Sequence, residues 1–103
     1  LFVIIGRITN SAAQNAVTLL ERYANPILVG EVTASAPNFV GEDNFITLPY
    51  SKMGVSISDL YWQASWPQDE RVWTAPLLYT PPTWEAYRRG RDPAMEAIRS
   101  YPR

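Results

Sequence analysis

A chain of 103 residues has room for one small domain, and with 47% hydrophobic and 13% aromatic residues it can build a core. A net charge of −1 supplies no basic field for nucleic acid, and the lack of both cysteine and histidine removes disulfides, thiolate sites and ordinary zinc sites. The longest apolar run, LFVII, is far too short to cross a bilayer.

That run, LFVIIG at 1–6, is continuous and β-prone. It predicts a strand buried on both faces, as in a parallel sheet with helices on each side. The chain begins at Leu1, inside this strand, so it reads as the C-terminal portion of a longer domain whose N-terminal part lies upstream. RITN at 7–10 is a turn, and Asn10 or Ser11 is placed to cap the helix that follows. Ala13, Ala16, Val17, Leu20, Tyr23 and Ala24 recur at helical spacing and predict one buried helical face. Asn25-Pro26 stops the helix, and ILVGE at 27–31 is a second buried strand, completing a βαβ unit.

Residues 32–44 are small, Gly-, Pro- and Asn-rich, and read as a loop. FITLPYSKMGVSISDLYWQ at 45–63 reads as two strands about a turn at YSKMG, with an irregularity or bulge near Asp59. Residues 64–82 are irregular and rich in Trp and Pro. Two short helices close the chain: Thr83 caps WEAYRRG with Gly90 as its stop, and Asp92-Pro93 opens AMEAIRS. The expected class is α/β: a βαβ unit, then a β-hairpin and short C-terminal helices.

Three groups of residues carry candidate chemistry. Ser11 sits where a strand turns into a helix. There it is either an N-cap or a nucleophile whose oxyanion the Ala12 N–H would help to hold. A serine hydroxyl needs a base. The only lysine, Lys52, falls in the predicted hairpin turn and reads as a solvated residue. In QDER at 68–71, Asp69 or Glu70 is either a solvated loop acid or a carboxylate that orients a histidine supplied from outside the chain. Trp62, Trp66 and Trp73 flank that cluster and read as a satellite core or as the wall of a groove.

The stretch FVIIGRITNSAAQNAVTLLERYANPILVGEVTASAPN, followed by TLPYSKMGVSISDLYWQ, WTAP and GRDPAMEAI, resembles the tail-specific, or carboxyl-terminal-processing, serine peptidases. Their catalytic core is shared with the tricorn protease and a retinoid-binding protein. The resemblance covers nearly the whole chain, in order. It implies the C-terminal portion of a crotonase/Clp-like spiral domain, with Ser11 as nucleophile and Ala12 as one oxyanion donor. The second donor would come from an upstream glycine-rich segment.

The family's processing peptidases use a lysine twenty-five residues after the serine, and that position is Ala36 here. The tricorn-type arrangement, with an upstream histidine and a downstream carboxylate at Asp69 or Glu70, is the alternative that the resemblance implies. A protein or peptide is then the substrate and no cofactor is expected. The compartment is not legible, although the family resemblance implies a bacterial extracytoplasmic one. The competing expectation is a non-catalytic module binding a peptide or an apolar ligand. The open edge at strand 1–6 further predicts that the chain by itself dimerises or aggregates.

Overall fold

The computed structural model describes residues 1–102. Its elements, in chain order, are β1 (Phe2–Ile5), α1 (Ala12–Ala24), β2 (Ile27–Gly30), β3 (Asn38–Gly41), β4 (Asn44–Thr47), β5 (Gly54–Ile57), β6 (Leu60–Gln63), β7 (Leu78–Tyr79), α2 (Trp84–Arg88) and α3 (Pro93–Ser100). The architecture is mixed α/β, built from short strands and helices.

The body is a three-stranded parallel sheet in the order β1-β2-β7, so β1 is an edge strand, open on its outer side among the described residues. Its side chains alternate between two faces. Val3, Ile5 and Leu28 point to α1 and meet Val17 there, forming the small core. Phe2 and Ile27, paired in register, lie on the opposite face with Ile98 and Tyr101, where α3 packs on β2. The Phe2 and Tyr101 rings meet edge to face at 5.4 Å.

The caps fall where the local sequence places them. Thr83 accepts the Ala86 N–H and Asp92 accepts the Met95 N–H, with Pro93 in the first turn of α3. Asn25 ends α1 in a left-handed conformation, which an asparagine tolerates better than most residues.

The buried face of α1 differs from the expected one. Gln14, Val17 and Thr18 are buried, whereas Ala13, Ala16, Tyr23 and Ala24 are exposed and Leu20 is half-buried. Only Val17 belongs to both sets. Hydrogen bonding decides the rotation: the Gln14 and Thr18 side chains find partners toward the body, as described below.

The loop expected at 32–44 is also shorter than its composition suggests. Residues 38–41 form β3, which pairs antiparallel with β6, and β4 pairs with β5. The two ladders are halves of one ribbon, 38–63. Two residues on each strand separate the pair Gly41–Leu60 from Asn44–Ile57, so the register carries through without the extra residue a bulge requires. Near Asp59 the irregularity is a lapse in pairing, where the Asn44 amide donates to the Asp59 carboxylate.

The ribbon projects from the body. Phe45 is 70% exposed, and Val40, Ile46, Ile57, Leu60 and Tyr61 are exposed as well. The chain measures 59 × 37 × 17 Å with a radius of gyration of 17.4 Å, against about 13 Å for a compact chain of this length. Its accessible surface is 7574 Å², where about 5,900 Å² is usual for this mass.

Candidate functional site

The turn between β1 and α1 is tightly made. Thr9 N–H donates to the Gly6 carbonyl at 2.8 Å, and Gly6 N–H returns a bond to Thr9 Oγ1 at 3.0 Å. The Asn10 carbonyl then accepts from both Ala13 and Gln14 N–H, starting the helix. Between these two hydrogen-bonded pieces sits Ser11, at φ 49° and ψ −125°. A side-chain-bearing residue avoids this backbone region, which costs of the order of 1–3 kcal/mol.

The Ser11 side chain makes no capping hydrogen bond, and the residue is exposed. Nor does any hydrogen bond among the described residues engage the Ala12 N–H. Ser11 is therefore a strained, exposed hydroxyl at the positive end of a thirteen-residue helix, beside a free N–H donor. The turn is not a G-x-S-x-G nucleophile elbow, since Thr9 and Ala13 stand where that motif has its glycines. The stretch Ser11-Ala12-Ala13-Gln14 has the form of a capping box. The box is not made, because the Gln14 side chain turns inward.

The other candidates lie elsewhere. Asp69 has a side chain 1% exposed and is gripped by Arg71, whose Nε and Nη2 donate to Oδ1 at 2.9 Å and Oδ2 at 2.8 Å. Arg71 also reaches Glu21 on α1 at 3.0 Å and lies 5.6 Å from the centre of the Trp66 ring. The Arg71 hydrogen bonds hold the Asp69 carboxyl down to about 2, and the same bonds raise the Arg71 guanidinium above its ordinary value. Glu21 follows Ser11 by ten positions on the helix, about 15 Å along the axis. The structure thus brings Asp69 to Arg71 and Glu21, and does not bring it to Ser11. Glu70 is exposed. Lys52 occupies the tip of the ribbon with φ 58° and is exposed, as its turn position predicts.

A cavity of about 710 Å³ opens between α1 and the segment after β6. Thr18, Glu21, Arg22, Trp66, Pro67 and Arg71 are among its lining, and Ser11 is not. Trp66 forms its wall, which accounts for part of the tryptophan density. Trp62 and Trp73 do not line it.

The sequence reading passed over Arg71, Glu21, Gln14, Thr33 and Thr74. The signal for Gln14 and Thr18 was present: two polar residues at i, i+4 spacing beside Val17. No group of three or more acidic, His or Cys side chains suited to a metal occurs among the described residues, and no helix there is long and apolar enough to cross a membrane. Comparison of the chain with family models, with curated proteins and with solved structures gave no match.

Proposed function

We propose that this chain is the C-terminal portion of a crotonase/Clp-like serine peptidase domain, with Ser11 as the nucleophile. One observation carries the reading: Ser11 is held at a strained positive φ, exposed and free of any capping bond, with the Ala12 N–H open beside it. An ordinary N-cap serine has an extended backbone and accepts a hydrogen bond from the helix. Ser11 does neither.

In this reading Ser11 Oγ attacks a peptide carbonyl as its proton passes to a base. The carbonyl oxygen takes the negative charge and accepts from the Ala12 N–H, supported by the positive end of α1. Expulsion of the amine, protonated by the same base, leaves an acyl-enzyme, and water hydrolyses it to free acid and serine. The chain contains no histidine, and Lys52 lies at the ribbon tip. The base and the second oxyanion donor are therefore supplied by polypeptide outside these residues, and the chain alone is inactive. Asp69 takes no part in this reading, since its carboxylate is held by Arg71, which Glu21 also pairs.

A second reading draws on a different observation. The cavity beside Trp66 suits a peptide or an apolar ligand without any chemistry, and it is separate from Ser11.

A fluorophosphonate probe separates the two. The native polypeptide containing this chain is treated with the probe, the labelled peptide is mapped by mass spectrometry, and Ser11→Ala serves as control. Labelling at Ser11 that disappears in the variant supports the nucleophile. A folded polypeptide that neither labels nor cleaves peptide substrates overturns it and favours the binding module.

A further inference from the structure

The residues on both sides of Ser11 are anchored to one platform. On the helix side, three positions after the serine, Gln14 is fully buried and its Nε2 donates to Thr74 Oγ1 at 3.0 Å and to Thr18 Oγ1 at 3.2 Å. Thr74, itself 0% exposed, is joined to Thr33 twice: its N–H donates to Thr33 Oγ1 at 2.8 Å, and Thr33 N–H donates to its carbonyl at 3.0 Å. On the turn side, two positions before the serine, the Thr9 carbonyl accepts the N–H of Ala34, next in sequence to Thr33, at 2.9 Å.

A closed circuit therefore runs from Gln14 through Thr74 and Thr33 to Ala34 and Thr9, with Ser11 as the span between its two ends. Rotating φ or ψ at Ser11 toward an ordinary value swings Thr9 relative to Gln14. Since both ends are tied to the 33–34 and 74 segments, relaxation of Ser11 requires breaking either the Ala34–Thr9 bond or one of the buried bonds of Gln14, Thr74 and Thr33.

The chemistry of Gln14 fits a tether better than it fits packing. Both amide N–H groups of Gln14 are used, whereas its buried Oε1 has no partner among the described residues. An apolar side chain of similar length fills the same space without burying that oxygen.

We infer that Gln14 is a positioning residue for Ser11, acting through Thr74 and Thr33 to hold the serine at its strained backbone geometry. As a statement about reactivity, the inference rests on the nucleophile reading above. As a statement about geometry, it does not.

The test compares wild type with Gln14→Met, Thr74→Val and Thr74→Ser, each checked for a cooperative melt. The ¹³Cα and ¹³Cβ shifts of Ser11 in the 103-residue chain report its backbone state directly. Probe labelling of Ser11 in the native polypeptide reports its reactivity. The expected result is that Gln14→Met and Thr74→Val move the Ser11 shifts toward an ordinary backbone and slow labelling by about tenfold to a hundredfold. Thr74→Ser, which keeps the hydroxyl, stays at wild-type values.

Unchanged Ser11 shifts in folded Gln14→Met overturn the inference. If Gln14→Met does not fold, unchanged shifts in Thr74→Val overturn it equally. A wild type that never labels, but whose Ser11 shifts move on substitution, defeats the nucleophile reading and leaves the positioning role standing.

Discussion

Arg71 holds Asp69 through two hydrogen bonds, Nε to Oδ1 at 2.9 Å and Nη2 to Oδ2 at 2.8 Å, and also donates through Nη1 and Nη2 to Glu21. The carboxylate most suggestive of catalysis in the sequence is thereby the anchor of the 64–77 segment against α1. A side chain 1% exposed is a charge that would be costly to leave unpaired.

Stability should fall in acid because of this pair. The Asp69 carboxyl titrates at about 2 in the folded chain, below its ordinary value of 3.8, chiefly because of the Arg71 hydrogen bonds. The lowered value means that the ionised form favours folding. Its contribution is fully present above about pH 4 and is lost as pH falls through 2. The shift corresponds to about 2 kcal/mol. Urea denaturation between pH 2 and pH 6 should show this loss in wild type and a flatter profile in Asp69→Asn, which starts lower by about 1–3 kcal/mol. Equal slopes for the two proteins would refute the assignment.

Substitutions at Ser11 should separate strain from capping. Ser11→Gly relieves the positive φ and should stabilise the chain by about 1 kcal/mol, after allowance for the extra freedom of glycine when unfolded. Ser11→Ala loses no capping bond and should stay within about 0.5 kcal/mol of wild type. A loss of about 1 kcal/mol or more in the alanine variant, read by urea denaturation, would identify Ser11 as a cap after all.

Gly30→Ala should damage the sheet. Gly30 has φ +119°, and a Cβ built there falls 2.1 Å from the Ile5 carbonyl oxygen. That oxygen accepts the Glu31 N–H, so the clash sits on the seam between β1 and β2. A cost of about 3 kcal/mol or more is expected, with the midpoint of denaturation as the measurement.

The ribbon should be the least protected part of the structure. A lone two-stranded ribbon is marginal in water, and every residue of β4 and β6 is exposed. Amide exchange should be fastest in 44–57 and slowest in β2, where Leu28 and Val29 are buried. The exposed apolar ribbon and the open edge of β1 also predict concentration-dependent self-association in sedimentation. A monodisperse monomer at all concentrations, with a protected ribbon, would contradict both expectations.

Local chemistry by itself determined the elements whose cause lies within a few neighbouring residues. The apolar runs at 1–6 and 27–31 became paired parallel strands, although β1, an edge strand with Ile4 exposed, is not buried on both faces as its composition predicts; Asn25-Pro26 ended α1, and Thr83 and Asp92 capped the two last helices. Each depends on periodicity or on a hydrogen bond spanning about one turn, which a sequence displays directly. Ser11 was legible as a choice between cap and nucleophile, but its backbone angles were not, because they depend on ties to Thr33 and Thr74, far away in the chain.

Tertiary structure alone decided the rest. The rotation of α1 follows from Gln14 reaching a threonine sixty positions on, and apolar spacing carries no information about that bond. Asp69 joined Arg71 and Glu21 because a buried carboxylate requires a cation and α1 supplied the second acid. Residues 38–41 look like loop in composition, and they became a strand because β6 offered unpaired backbone in register. In all three cases the deciding partner is distant in sequence, and for Gln14 and Asp69 what fixes the outcome is the cost of leaving a buried polar group unpaired.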